Sequence, residues 1–179
     1  MLARKRRSCC EPQRPDKKVC ADPPATRRRR TTTLPATFPG LFLVHPSPYG
    51  SLLQPLTEWP ITHVLALVLV GPGPDPHVQE TLRVCAANPW LQQHVAIVRY
   101  CRPEKVTAQT NPYDGLTLVL DTYGELVAAV GARDPLGGGC HALNSVAVVV
   151  DGRPEQLHLG HLGLDIEGIL FKLHNYIKT

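Results

Sequence analysis

TLVLDTYGELVAAVGA, residues Thr117 to Ala132, joins two apolar runs through a turn that contains an acidic residue and a glycine. The first run, Leu116 to Asp121, has the length and branched composition of a strand. Asp121 to Gly124 has the composition of a turn. The second run, Glu125 to Val130, predicts a short helix. The segment therefore indicates a strand that leads through a tight turn into a helix.

A second unit, SVAVVVDGRPEQLHLG, follows at residues 145–160. Val146 to Asp151 predicts a strand, Gly152 to Glu155 a turn and Gln156 to Leu159 a partner strand, which together form a β-hairpin. The chain then continues into a predicted amphipathic helix, Leu164 to Ile177. Its apolar positions share one side of the helix: Ile166, Ile169, Leu170, Leu173 and Ile177.

Upstream, the sequence predicts a strand, a crossover helix and a second strand. Val64 to Val70 is a continuous apolar run, which is typical of a strand covered on both faces. Asp75 is the predicted N-cap of a helix with Pro76 at its first position, and the pattern ends at Asn88 and Pro89. The apolar positions of this helix are Val78, Leu82, Cys85 and Ala86, and the next strand is Val95 to Tyr100. This βαβ unit predicts parallel pairing of its two strands.

Two further segments complete the predicted domain. An apolar run broken by prolines and glycines predicts one short strand at Leu41 to His45, followed by turns. The polar connector CRPEKVTAQTNPYDG, residues 101–115, is predicted to include a helical turn, and residues 131–139 are a predicted flexible loop.

The N-terminal arm, residues 1–36, differs in composition from the predicted domain at residues 37–179. Residues 1–30 contain eleven Lys or Arg and three acidic residues, so eight basic and twelve acidic residues remain in the other 149 positions. Large apolar side chains are rare in the arm, and we expect it to be disordered because it cannot bury enough surface to offset the entropy of ordering. The positive charge of the chain therefore belongs to the arm.

The same stretch bears on compartment and membrane association. Ser8, Cys9, Cys10, Glu11 and Pro12 stand where a secretory signal would place an apolar run, and no apolar segment approaches the ~20 residues that span a bilayer. We expect an intracellular protein without a membrane span. Cys9, Cys10 and Cys20 lie in the arm and Cys85, Cys101 and Cys140 in the domain, a spacing that favours free or buried thiols over a disulfide framework.

The order of elements, a βαβ unit followed by a hairpin and a terminal helix, resembles the thioredoxin-like fold. LVLDTYGELVAAVGA, SVAVVVDGRPEQLHL and LDIEGILFKL more narrowly resemble the peroxiredoxins of the alkyl hydroperoxide reductase and thiol-specific antioxidant type. The resemblance covers residues 61–173. It implies an α/β domain in which helices flank a central mixed sheet.

The same resemblance implies a peroxidatic cysteine at the start of the first core helix, activated by a nearby arginine. The segment that matches the position of the cysteine, Val70 to Glu80, contains no cysteine. The segment that matches the position of the arginine, HALNS at residues 141–145, contains no arginine. Peroxidase chemistry by the family route is therefore not expected.

The remaining candidates for redox chemistry are Cys101 and Cys140. Cys101 is next to Arg102, whose charge would favour a thiolate, and Cys140 is followed by His141, which can activate sulfur. Either residue can equally be a structural thiol, and Cys85 has the position of a core residue on the apolar side of its helix.

Histidines suggest two weaker candidates. His158 and His161 stand close together, but a zinc site needs more ligands at recognisable spacings, so no metal or other cofactor is predicted. His77 stands near the start of the first helix, where it either lines a residual pocket or is a solvated residue at the helix end.

The arm is the second strong feature of the sequence. Its clustered cations predict salt-sensitive attraction to nucleic acid or to an acidic protein, and such clusters also serve as import signals or as solvated tails. The leading hypothesis is a non-catalytic peroxiredoxin-like binding or assembly domain, and the alternative is a thiol oxidoreductase that uses Cys101 or Cys140. The candidate contact residues are Arg4, Lys5, Arg6, Arg7, Lys17, Lys18, Arg27, Arg28, Arg29 and Arg30.

Overall fold

A computed structural model describes residues 33–35, 37–45, 52–56, 64–73, 76–113, 115–160 and 164–177. The basic cluster at residues 1–30, with its predicted disorder, lies outside the described residues, as does the predicted N-cap Asp75. No helix in the described ranges has the length and apolar character required to cross a bilayer.

The described chain contains seven strands, three α-helices and two 3-10 helices. The α-helices are α1 (Pro76–Ala87), α2 (Glu125–Ala129) and α3 (Ile166–Ile177), and the 3-10 helices are Pro89–His94 and Pro103–Ala108. The strands are β1 (Leu41–His45), β2 (Leu52–Pro55), β3 (Val64–Val70), β4 (Val95–Tyr100), β5 (Thr117–Asp121), β6 (Ser145–Val150) and β7 (Arg153–Leu159).

All seven strands form one mixed sheet in the order β2-β1-β5-β4-β3-β6-β7. The pairs β3–β4 and β4–β5 are parallel, whereas β1–β2, β1–β5, β3–β6 and β6–β7 are antiparallel. The parallel pairing predicted for the βαβ unit is thus confirmed. So is the prediction of a central mixed sheet flanked by helices.

One face of the sheet is covered by α1 and α3. Val68, Ile97 and Leu118 point from the three central strands into a cluster that includes Cys85 of α1 and Leu173 of α3. Four of the five apolar positions predicted for the last helix are buried, and the fifth packs against the cluster from its partly buried position at the end of α3. This face forms the larger part of the core.

The opposite face is covered by α2 and by the residues that precede β1. Leu126 of α2 packs with Leu67 and Val98 in a second cluster, to which Leu34 and Phe38 also belong. The backbone N–H of Leu34 donates a hydrogen bond to the carbonyl of Gly152 at 2.6 Å. The packed domain therefore includes Leu34, two residues before the predicted boundary at residue 36.

The hairpin β6–β7 is confirmed, but its turn is shorter than predicted. The chain reverses at Asp151 and Gly152, with φ values of 48° and 70°, and β7 begins at Arg153. Two residues with positive φ match the twist of the flanking strands, which is why Asp-Gly is favoured here. The predicted turn, Gly152 to Glu155, included Pro154, but a proline is tolerated in β7 because this strand lies at the edge of the sheet.

Strand β2 was not predicted from the sequence, which indicated only turns after β1. It pairs with β1 in antiparallel register, from Phe42 opposite Pro55 to His45 opposite Leu52. It is the other edge strand of the sheet, and an edge strand accommodates a proline such as Pro55 at its end.

Candidate functional site

A cavity of about 400 Å³ opens where the parallel strands β3 and β4 end. Ligands of open α/β sheets commonly bind outside the carboxyl ends of the strands, so this position is a natural place for a site. We call it the β3–β4 cavity. Its lining comprises Val70, Gly71, Pro72, Gly73, Val78, Gln79, Arg99, Tyr100, Tyr113 and His141.

Strand register brings the two sides of the cavity together. Val70, the last residue of β3, is paired with Arg99 of β4. Arg99 alternates with Ile97, which faces α1 and α3, so its side chain belongs to the same face of the sheet just beyond the buried core. Val78 of α1 closes this side of the cavity. The site is therefore assembled by the parallel pairing of β3 and β4 and by the helix between them.

The loop after β3 is tied to the segment that precedes β6. The side-chain oxygen of Asn144 accepts a hydrogen bond from the backbone N–H of Gly71 at 2.6 Å. Asn144 belongs to HALNS, the segment in which the family resemblance implies an arginine. At this segment, the chain therefore has a side-chain amide that anchors the loop after β3.

A second cavity, of about 440 Å³, shares Gly71 and Pro72 with the β3–β4 cavity and is also lined by His77, Asp134 and Asn144 among others. Gly160 approaches this region closely, since an added Cβ would lie 3.0 Å from Nε2 of His77. His77 therefore lines a cavity, as one of the two sequence interpretations anticipated.

An aromatic pair forms one wall of the β3–β4 cavity. The rings of Tyr100 and His141 meet edge to face, with 4.7 Å between their centroids. Burial raises the pKa of the Tyr100 hydroxyl, and its interaction with the neighbouring Cys140 side chain raises it further, whereas Arg102 lowers it. Cys140, a sequence candidate, is thus next to the wall of the cavity.

The three described cysteines differ in their surroundings, and none forms a disulfide with another described cysteine. Cys85 is 1% exposed, and burial raises the pKa of its thiol to about 11, in agreement with the predicted core role. Burial also raises the pKa of Cys101, and Arg99 and Lys105 oppose this only in part. The adjacent charge of Arg102 therefore does not produce the low-pKa thiol that the sequence suggested at Cys101. Cys140 is half-buried.

The two histidines that were considered as a metal pair are not both described. His158 lies on β7, where its Nε2 is 3.2 Å from Oε1 of Gln156, and His161 falls outside the described residues. No group of three or more His, Cys, Asp or Glu within the described ranges has the arrangement needed for a metal ion. All ten candidate cations of the arm lie outside these ranges as well.

The sequence interpretation missed Arg99, Tyr100, Tyr113 and Asn144 as residues of the site. Arg99 and Tyr100 are the last two residues of a predicted strand in a βαβ unit, and this position is the signal that could have identified them. Tyr113 and Asn144 offered no comparable signal, because each stands in a connecting segment whose path depends on tertiary packing.

Comparison with known proteins places this geometry in a structural context. No protein-family model and no curated protein sequence matches the chain. Among solved structures, a Cys-to-Ser variant of PrxQ from Xylella fastidiosa is 18% identical, with 82% of this chain and 95% of that chain covered and a TM-score of 0.53.

Two further peroxiredoxin structures are more distant in shape. AhpC from Enterococcus faecalis is 14% identical over 63% of this chain and 74% of its own, with a TM-score of 0.46. Reduced Prx3 from Vibrio vulnificus in complex with hydrogen peroxide is 15% identical, with 80% of this chain and 97% of that chain covered and a TM-score of 0.48. At these identities the likeness concerns the fold alone. The described part of the chain has a peroxiredoxin-like thioredoxin fold, as the resemblance in its sequence predicts.

Proposed function

We propose that this protein is a non-catalytic peroxiredoxin-like binding domain. The observation that carries the proposal is the absence of cysteine between residues 70 and 84, the stretch that ends β3 and forms most of α1. In the thiol chemistry of such folds, the start of a helix lowers the pKa of the nucleophile. A chain without sulfur there lacks the group that would attack a peroxide.

The thiols that lie elsewhere support the same conclusion. The nucleophile in thiol chemistry is the thiolate, and a raised pKa reduces its population near neutral pH. Cys85 and Cys101 are both buried, and burial raises the pKa of each. Neither thiol is accessible in the way that a catalytic cysteine is, and the cations near Cys101 offset the effect of burial only in part.

The partner that we propose for the basic arm is nucleic acid or an acidic protein. The support is electrostatic: eleven cations stand within thirty residues that contain three acidic residues, whereas the remainder of the chain has a balance of −4. Phosphate groups attract such a cluster without regard to base sequence. The fold would then act as the body to which the arm is attached.

We also propose that the protein is intracellular. The three cysteines that the structure describes form no disulfide with one another, which is typical of a reducing compartment.

A second function is favoured by one specific observation, the contact between Tyr100 and Cys140. The Cys140 thiol is half-buried and interacts with the Tyr100 hydroxyl at the wall of the β3–β4 cavity. A thiol-disulfide oxidoreductase or peroxidase would use this sulfur, which is the most accessible of the three that are described. Cys101 is the weaker candidate because it is buried.

Hydroperoxide consumption in the presence of a thiol reductant tests the two functions against each other. We expect the full chain to consume hydroperoxide no faster than free cysteine at the same thiol concentration. Cys101→Ala and Cys140→Ala should leave this rate unchanged, since neither sulfur is proposed to react. Cys85→Ala is the matched control, because it removes a core thiol that neither function uses.

Saturable turnover in the wild-type protein would contradict the non-catalytic proposal. If that turnover disappeared in Cys140→Ala and persisted in Cys85→Ala, the oxidoreductase function would replace the non-catalytic proposal.

A further inference from the structure

We propose that the β3–β4 cavity binds a small organic carboxylate with a flat apolar body, whose carboxylate is held by the guanidinium of Arg99. The cavity has the volume of a small-molecule site, which usually falls between about 300 and 1,000 Å³. Its lining combines one cation with aromatic and apolar side chains. This combination determines the class of ligand.

The charge of the lining selects an anion. Arg99 is exposed and supplies a positive charge to the cavity, and no aspartate or glutamate is among the described residues that line it. Within the described part of the chain, Arg99 has no ion-pair partner, in contrast to Arg83, which pairs with Glu80 and Glu167. A guanidinium without a carboxylate partner is available to a ligand.

The number of cations favours a carboxylate over a phosphate group. A guanidinium presents two parallel N–H donors that match the two oxygens of one carboxylate. A doubly charged phosphate is better neutralised by several cations, and the part of the lining that the structure describes contains a single arginine and no lysine.

The remaining walls select a flat apolar body. Three of the lining residues, Tyr100, Tyr113 and His141, have ring side chains, and the buried Val78 is an aliphatic lining residue. The Tyr100 ring is held by its edge-to-face contact with His141. Such surfaces gain most from contact with a planar ring, through area burial and offset stacking.

The inference deepens the proposed binding function and rests on it, because a cavity used for binding alone needs no sulfur at the start of α1. The two can fail separately. Hydroperoxide turnover would overturn the non-catalytic proposal, whereas the experiment below addresses ligand binding without any reaction.

The test is calorimetric titration of the full chain with naphthylacetate and with naphthylacetamide, which has nearly the same shape without the charge. We expect saturable binding of naphthylacetate, and at least about tenfold weaker binding of the amide, since a charge-assisted bidentate contact is lost. Arg99→Gln should weaken naphthylacetate by a similar factor. The affinity of Arg99→Lys for naphthylacetate should lie between those of the wild type and Arg99→Gln, because lysine keeps the positive charge without the two parallel N–H donors of a guanidinium.

Arg153→Gln is the matched control, because it removes one exposed arginine from β7 at a position outside the cavity lining. It should bind naphthylacetate as the wild type does. Amide resonances of Gly71, Gly73 and Tyr100 should shift on titration.

Three results would overturn the inference: no saturable binding of naphthylacetate, equal binding of the acid and the amide, or equal weakening by Arg99→Gln and Arg153→Gln. Resonance shifts confined to residues remote from the β3–β4 cavity would overturn it as well.

Discussion

Removal of residues 1–30 is expected to abolish most of the affinity of this protein for random duplex DNA at low salt. The removed segment has a formal net charge of +8, and the residues that remain have a formal net charge of −4. Without the arm, the protein loses the cations that would contact the phosphates of the duplex and release their counterions. The residues that remain have a net negative charge, which repels the duplex.

Salt dependence gives the same prediction a magnitude. If about six arm cations contact phosphate, the affinity of the full chain should fall about a thousandfold between ~50 and ~200 mM salt. Fluorescence anisotropy with a labelled duplex measures both quantities. The shortened chain should show weak binding with little dependence on salt.

The shortened chain should begin at Thr31, because Leu34 is buried in the domain and its N–H bonds to Gly152. A chain of full length in which the eleven Lys and Arg of residues 1–30 are replaced by Gln is the control for length. It should behave like the shortened chain. Equal affinity of all three proteins would remove the arm from the proposal.

Replacement of Asp121 by alanine is expected to lower the free energy of unfolding by about 3 kcal/mol. Asp121 is 0% exposed at the end of β5. Its carboxylate accepts hydrogen bonds at 3.1 Å from the N–H groups of Glu125 and Val127, at the start of α2. Alanine leaves these donors without an acceptor, and a buried N–H without a partner is costly.

Asp165→Ala is the matched control, and urea denaturation is the measurement. Asp165 is exposed and accepts a hydrogen bond from the N–H of Gly168 in the first turn of α3. Its loss should cost about 1 kcal/mol, as for an ordinary helix cap. If Asp121→Ala lost no more stability than Asp165→Ala, burial of the Asp121 cap would have no energetic importance.

The pH dependence of Asp121 has a definite sign. Burial raises the pKa of this carboxyl above its ordinary 3.8, although four backbone N–H groups act in the opposite direction. Between the two pKa values the folded protein holds more protons than the unfolded chain, so stability falls as pH rises through this window. Asp121→Asn removes the titration, and its stability relative to wild type should therefore rise with pH across the window and then level off.

The parts of the fold that local pattern specifies were predictable from the sequence. Val64 to Val70 is apolar throughout, and β3 is indeed covered on both faces by helices. The Asp-Gly pair at 151–152 indicated a hairpin because few residues tolerate positive φ. The turn after Asp121 was equally clear, since an acidic residue and a glycine separated two apolar runs.

Other features depended on distant contacts and could not be predicted. Leu34 stands in a segment rich in Arg, Pro and Thr, and its burial is created by packing on the α2 side of the sheet. Strand β2 is stabilised by its pairing with β1 more than by its own pattern. The contact between Tyr100 and His141 joins residues forty-one positions apart, so the wall of the cavity exists only in the folded chain.

The central claim is that a peroxiredoxin-like fold here lacks a reactive sulfur, and a single-turnover reaction of the reduced full chain with hydrogen peroxide tests it most directly. Thiol loss followed by mass spectrometry should proceed no faster than for free cysteine and should show no saturation. Rapid conversion of one cysteine to sulfenic acid, at a rate far above that of free cysteine, would contradict the account and identify the residue responsible.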